Sequence, residues 1–182
     1  RNKTIGIIGF GRIGQEVAKR AIGIGMNVMS YDKKINEANI TLNFFNDEKK
    51  TFTIETSNLD KVLSNSDFIT IHVPKMSDKA VIGADEIGMM KTGAGIINTS
   101  RGEIINENDL IEALKNDEIA GAGLDVYGQE PLPQDHKLRF LPNALLLPHI
   151  GFVTVENYGK FYFQMIESLD SCMNNDPIRE IK

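Results

Sequence analysis

The sequence predicts an α/β domain built on a doubly wound parallel sheet, and three observations carry that expectation. Short, nearly continuous apolar runs alternate with segments of helical periodicity, the pattern of parallel strands buried on both faces. The first run, residues 4–8, opens onto the glycine-spaced turn Gly9-Phe10-Gly11-Arg12-Ile13-Gly14, and a helical pattern follows through Val17, Ala18, Ala21 and Ile22. The polar residues Asp32, His72, Thr99, Ser100, Arg101, Asp125, Glu130 and His149 fall at or just beyond the ends of predicted strands, the edge at which open α/β sheets bind ligands.

The elements follow in order. Residues 4–8 form the first strand, and residues 12–24 the helix that the glycine turn launches. Residues 27–31 are the second strand, ending at Asp32. The polar stretch 33–50 reads as a loop that can hold a short helix, and the weak alternation of Thr51-Phe52-Thr53-Ile54 reads as a third strand. Asn58 is placed to cap a helix running through Asn65. Phe68-Ile69-Thr70-Ile71 is the fourth strand, and residues 84–91 are helical. Gly95-Ile96-Ile97-Asn98 is the fifth strand. Asn106 and Asp109 form a capping arrangement for a helix over 107–116. Residues 119–126, rich in Gly and Ala, make the sixth strand, residues 144–147 the seventh, and a helix from 154 to 174 closes the chain.

The bulk numbers narrow the function. With 182 residues the chain is expected to be one domain over 1–182, or a large domain with a tail, its last helix and tail covering about 154–182. A net charge of -5 provides no field for a polyanion, so nucleic acid is not the expected partner. No apolar run nears the ~20 residues that span a bilayer, and no signal-peptide pattern opens the chain. One cysteine, Cys172, cannot form an internal disulfide, which points to a reducing, cytoplasmic setting; it is expected to pack inside the last helix. No metal-ligand spacing is seen. The chain opens at Arg1 directly before the first strand, which is expected of a fragment, a processed chain or a trimmed one.

The glycine turn has a physical purpose. Gly9 permits the tight turn, Gly11 lets the backbone approach a pyrophosphate, and Gly14 lets helix and strand pack closely. Amide groups at the helix start then face the phosphate. Asp32 lies where a carboxylate meets the adenosine ribose, which favours NAD over a 2′-phosphorylated cofactor. Reduction of a 2-oxo acid needs, besides the nicotinamide, a cation for the carboxylate, an acid for the forming alkoxide and a group that orients the acid. Arg101, His149 and Glu130 suit these tasks in turn. From the residues alone each also has a plain structural reading: Arg101 as a solvated loop residue, Glu130 as a turn residue before proline, His149 and His72 as hydrogen-bonded structural histidines, and Asp125 as a turn cap. His136, between Asp135 and Lys137, is expected to be exposed.

In blocks, the chain resembles the D-isomer-specific 2-hydroxyacid dehydrogenase family. The blocks are Ile7-Ile8-Gly9-Phe10-Gly11-Arg12-Ile13-Gly14; His72-Val73-Pro74; Ile97-Asn98-Thr99-Ser100-Arg101-Gly102; residues 121–131 from Gly121 to Pro131; and Leu147-Pro148-His149-Ile150-Gly151. The resemblance implies that Arg101 binds the substrate carboxylate, His149 is the acid and base, and Glu130 pairs with it. It implies that Arg12 and Ile13 meet the pyrophosphate within the cofactor-binding turn of Gly9, Gly11 and Gly14, and that Asp32 meets the ribose. His72, Val73 and Pro74 would line the cofactor cleft, with Thr99, Ser100, Asp125 and Gly151 at the nicotinamide end. It further implies a D-2-hydroxy acid or 2-oxo acid as substrate, a homodimer, and a substrate domain built mainly from residues preceding the cofactor domain. Two local departures stand out: residues 75–82 are one residue short of the family pattern, and Phe152 stands where the family often has Gly. A different class of function, an NAD(H)-sensing interaction protein like the family's corepressor relatives, shares the same residues.

Overall fold

In chain order the elements are β1 (Thr4–Ile8), α1 (Arg12–Gly23), β2 (Asn27–Tyr31), β3 (Glu37–Asn43), β4 (Lys49–Glu55), α2 (Leu59–Asn65) and β5 (Phe68–Ile71). There follow α3 (Ala84–Gly88), β6 (Gly95–Asn98), α4 (Glu107–Lys115), β7 (Gly121–Leu124), β8 (Ala144–Leu146) and α5 (Val155–Met173). The computed structural model describes residues 2–44, 47–75 and 79–180. Two units are distinguished, Arg1–Pro148 and His149–Lys182.

The first unit holds a six-stranded sheet in the order β2-β1-β5-β6-β7-β8, every pair parallel. The order reverses direction beside β1, so the carboxyl ends of β1, β5 and β6 frame a crevice where ligands bind in such sheets. Strand periodicity sends alternate side chains to opposite layers. Ile5 and Ile7 of β1 pack with Phe10 and with Ala18 and Ala21 of α1. Ile8, Ile69, Ile71, Ile96 and Leu124 join the larger core with Val62 and Leu63 of α2 and Leu110, Ile111 and Leu114 of α4. Phe68 of β5 and Leu145 of β8 are exposed.

The predicted doubly wound sheet is present, and Asn58 caps α2 as expected, its Oδ1 accepting the Lys61 N–H at 2.9 Å. Several elements are shorter than expected, among them α3 and β7. The capping arrangement at α4 is half of what the sequence suggested. Asn106 Oδ1 accepts the amides of Asn108 and Asp109, but the Asp109 carboxylate accepts from Ala84 N at 3.0 Å and so joins α4 to α3.

Residues 33–55 depart from expectation. In place of a loop and a third strand of the main sheet, β3 and β4 form an antiparallel hairpin of their own, joined to β2 by a single bridge between Ser30 and Thr56. Its inner face is small: Ala38, Ile40 and Ile54 pack against the α1 layer. Its outer face is a ladder of short polar side chains, Thr41 to Thr51 at 3.0 Å and Thr53 to Asn39 at 2.8 Å. Cross-strand pairs of this type stabilise a hairpin.

In the second unit Thr154 caps α5, accepting the Asn157 N–H at 3.1 Å. Arg179 folds back on the same helix, 2.6 Å from Glu167 and 3.1 Å from Ser168 Oγ. No residue of α5 is buried. Cys172 is therefore exposed rather than packed, which corrects the expectation from sequence.

Leu63 has no exposed surface. Leu63→Ala is expected to lower the unfolding free energy by about 2–5 kcal/mol, as measured by urea denaturation.

Candidate cofactor and active site

The glycine turn is built by main chain touching main chain. Gly9 has φ +94°, a conformation that favours glycine. A Cβ there would stand 2.7 Å from the carbonyl carbon and oxygen of His72, and a Cβ on Gly14 would stand 2.2 Å from the Gly9 oxygen. Gly11 differs. A Cβ built on it meets no atom within 4 Å, so nothing in the chain itself requires glycine at this place. The space it leaves lies at the start of α1, where no side chain caps the helix. Uncapped amides, an absent side chain and the positive end of the helix dipole together suit a pyrophosphate. Arg12 is exposed beside them, and Ile13 exposes 67% of its surface.

Asp32 is tied to this turn. Its Oδ2 accepts the Phe10 N–H at 2.8 Å, and its Oδ1 accepts Lys34 N–H at 2.8 Å and Ile35 N–H at 3.1 Å. Partial burial pushes the carboxyl upward. The three amides, with the Lys34 charge, outweigh that push and hold it below the usual carboxylate range. A carboxylate offers about four acceptor positions, so a charged Asp32 retains capacity for a ribose hydroxyl.

Across the crevice, the His72 N–H donates to the Ile8 carbonyl at 2.7 Å, and His72 Nε2 lies 3.0 Å from Thr70 Oγ1. Burial pushes the His72 imidazole below its ordinary value, favouring the neutral ring. The Ser100 hydroxyl donates to the Val73 carbonyl, so the loop after β6 is held to the loop after β5. Pro74 is exposed next to them, and the shortened segment 75–82 includes positions 76–78, which lie outside the described residues.

The loops after β6 and β7 meet in the same way as the glycine turn. A Cβ on Gly102 would lie 1.9 Å from the Tyr127 carbonyl carbon and 2.4 Å from the Gly128 nitrogen. The Arg101 loop is thus seated on the loop that leads to Glu130. Arg101 is exposed, with Nη1 donating to the Ser100 carbonyl at 2.6 Å. Glu130 is exposed too, with Oε1 accepting the Tyr127 N–H at 3.0 Å. Asp125 is 4% exposed, and its amide donates to the Asn98 carbonyl at 3.0 Å. Thr99 is exposed at the turn between them.

Sequence reasoning missed three supports of this edge. Tyr127 Oη lies 3.1 Å from the Leu124 carbonyl and 2.7 Å from that of Leu147, linking the ends of β7 and β8. Burial, with the nearby Asp125 charge, raises the Tyr127 phenol, so the proton that makes these bonds is kept. Arg139 Nε and Nη2 donate to the carbonyls of Pro133 and Leu132, both at 2.8 Å, bracing the segment after Glu130. His136, expected to be exposed, is half-buried. Its Nδ1 accepts from Leu138 N, and its Nε2 lies 3.0 Å from Glu107 Oε1 at the start of α4. The sequence signal for these residues is faint, because their partners are main-chain carbonyls, which every residue carries, and a carboxylate on another element.

His149 and Gly151 belong to the second unit. His149 has φ 56°, a left-handed backbone uncommon for a residue with a side chain. Its ring meets Phe152 edge-on at 5.9 Å between centroids, so the side chain that replaces the family's frequent glycine lies on the histidine itself. Among the described residues no cluster of three or more His, Cys, Asp or Glu could hold a metal ion. No helix among them is long and apolar enough to cross a membrane.

A parallel sheet with a glycine turn open to a pyrophosphate and an acid at the end of its second strand defines a dinucleotide-binding domain. The chain belongs to the D-isomer-specific 2-hydroxyacid dehydrogenases: residues 1–151 match the NAD-binding domain of that family. It is 39% identical over 168 residues to a glyoxylate reductase of Korarchaeum cryptofilum, covering 92% of this chain and 48% of that protein. It is 38% identical over 180 residues to a D-3-phosphoglycerate dehydrogenase of Archaeoglobus fulgidus, covering 98% of this chain and 32% of that protein. Among solved structures, an NAD-dependent formate dehydrogenase of Staphylococcus aureus in complex with NAD superposes with a TM-score of 0.82 at 30% identity, over 99% of this chain and 51% of the other. The chain thus spans about half or less of the length of these relatives.

His72 yields a pH dependence of stability. Its folded value lies below the ordinary 6.5, so between the two the unfolded chain binds a proton that the folded chain does not. Its contribution is complete above 6.5 and is lost as pH falls through the folded value. Denaturation midpoints are expected to fall as pH drops below 6.5, with a shallower fall in His72→Gln.

Proposed function

We propose that the protein carrying this chain interconverts a small 2-oxo acid and the matching D-2-hydroxy acid. NAD, when bound, supplies or accepts the hydride. The observation that carries the reading is the main-chain contact of Gly102 with Tyr127 and Gly128, which seats the Arg101 loop against the loop of Glu130, beside a crevice suited to the cofactor. Arg101 holds the substrate carboxylate through its planar fork and draws electron density from the adjacent carbonyl. His149 gives a proton to the forming alkoxide in reduction and takes it back in oxidation. Glu130 is assigned as the carboxylate that orients that ring and fixes its tautomer. Arg12, Ile13 and the glycine turn seat the pyrophosphate, Asp32 the ribose, and His72, Val73, Pro74, Thr99, Ser100, Asp125 and Gly151 the remainder of the cofactor.

Glyoxylate and hydroxypyruvate are the first substrates to test, since relatives are named for reducing them. The 182-residue chain by itself is expected to bind NAD(H) and to turn over slowly, because a substrate held by one wall is neither clamped nor kept from water. Self-association as a dimer and a cytoplasmic setting belong to the same proposal. The exposed apolar side chains Phe163, Met165 and Leu169 of α5 support the first, and the single cysteine supports the second.

Two experiments test the reading. In calorimetric titration of the chain, NADH is expected to bind more tightly than NADPH, and Asp32→Ala to weaken NADH binding. Equal affinity for the two cofactors, unchanged in the variant, would remove Asp32 from the site. In the protein as its gene encodes it, His149→Ala is expected to lower turnover of glyoxylate or hydroxypyruvate about 100-fold or more. Reduction should slow and oxidation quicken as pH rises. An unaltered rate in the variant would exclude His149 from proton transfer.

A further inference from the structure

We infer that Asn98 is a positioning residue for Arg101: its buried carboxamide fixes the turn from which the guanidinium reaches a substrate carboxylate. The inference rests on the clamp assigned to Arg101 above.

Asn98 ends β6 and is 1% exposed. Its strand neighbours Ile96 and Ile71 and its partner Leu124 across β7 are buried and apolar, so an apolar residue would suit the sheet at this place. A buried polar side chain is tolerated when its hydrogen bonds are made, and this one makes them to the turn that follows. Oδ1 accepts the Ser100 N–H at 3.0 Å, and Nδ2 donates to the Arg101 carbonyl at 2.8 Å. The Asn98 main-chain carbonyl accepts the Asp125 N–H at 3.0 Å. One residue thus joins the amide before Arg101, the carbonyl of Arg101 and the start of the loop that leads to Glu130.

The Arg101 carbonyl also accepts the Ile104 N–H at 3.2 Å, a bond within the turn itself, so Nδ2 of Asn98 is the bond that ties this carbonyl back to the strand. The Ser100 hydroxyl holds Val73, and Gly102 rests on the Tyr127 main chain. Without Nδ2 the turn stays anchored at Ser100, Gly102 and Ile104, but the Arg101 peptide loses its tie to the strand and gains room for rotation. The long Arg101 side chain, exposed and leaning on Ser100 O, amplifies that rotation at its tip. The glycine turn and Asp32 lie on other loops, and the Ser100 hydroxyl keeps its hold on Val73, so the effect on cofactor affinity should be much the smaller one.

The test uses the protein as its gene encodes it, with glyoxylate and NADH. Asn98→Leu is matched in size and removes both side-chain hydrogen bonds. The expected result is a rise of tenfold or more in KM for glyoxylate, with a much smaller change in the Kd for NADH. In the Arg101→Ala background the same substitution should have no further effect, since residues acting as one unit are not additive. Should Asn98→Leu fail to fold, Asn98→Asp assayed above neutral pH carries the same cycle, because it keeps the acceptor for Ser100 and loses the donor to Arg101. An unaltered KM, a parallel loss of NADH affinity, or an equal further loss in the Arg101→Ala background would overturn the inference. An Arg101→Ala protein with normal KM would overturn the clamp, and the inference with it.

Discussion

Main chain lies on main chain at three places along the carboxyl edge of this sheet, and each contact exists because a side chain is missing. Gly9 rests on His72, Gly14 on the Gly9 carbonyl, and Gly102 on Tyr127. Each would-be Cβ falls at 2.7 Å or less from a backbone atom, closer than real side chains approach. Backbone cannot rotate aside as a long side chain does, so these contacts fix the spacing of the loops themselves. The first two fix the turn between β1 and α1 against the loop after β5. The third brings the Arg101 loop onto the loop of Glu130. Gly11 stands apart, since its space is open within the chain, and its meaning lies in what approaches from outside.

Hydrogen bonds then set direction where packing has set distance. Asp32 gathers the amides of Phe10, Lys34 and Ile35, Ser100 reaches Val73, Asn98 spans the Arg101 turn, and Tyr127 joins the ends of β7 and β8. All use main-chain groups on at least one side. Arg101 and Glu130 are both exposed, while Asn98 and Tyr127, which hold their loops, are buried. The low dielectric beneath the edge strengthens these bonds and makes their loss costly.

The sequence made this division legible in part. Strands such as Ile96-Ile97 and Ile69-Thr70-Ile71 announce themselves because burial on both faces demands continuous apolar residues. The glycine turn announces itself because its spacing has few other uses. Asn58 was readable as a cap because its partner lies three residues on. The hairpin of β3 and β4 was not, because only Ala38, Ile40 and Ile54 face the core and its outer ladder of Thr and Asn resembles a loop in composition. Local signals also misplaced Asp109, whose carboxylate prefers the amide of Ala84, twenty-five residues back. His136 was misread for the same reason, as its neighbours are charged and polar while its partner, Glu107, belongs to another element.

A distinction between roles follows from where the information lies. Arg101 and Glu130 are candidates from sequence because their chemistry is written in their side chains. The residues that hold their loops are not, because Asn98, Gly102, Tyr127 and Arg139 act through contacts with carbonyls and amides that every residue carries. Chemically, Asn98 is an unremarkable turn residue. Its weight comes from burial, since in water each of its hydrogen bonds would be exchanged for one to solvent with a small net gain, whereas inside the sheet no solvent replaces a lost partner. The same reasoning separates Arg139 from Arg101. Both are exposed arginines, but Arg139 spends its guanidinium on the carbonyls of Leu132 and Pro133, while the Nη1 of Arg101 reaches no farther than the adjoining Ser100 carbonyl. An arginine that spends two donors on the carbonyls of the preceding loop is part of the scaffold, and one that, among the described residues, bonds only the adjoining carbonyl keeps the length of its side chain for reaching outward.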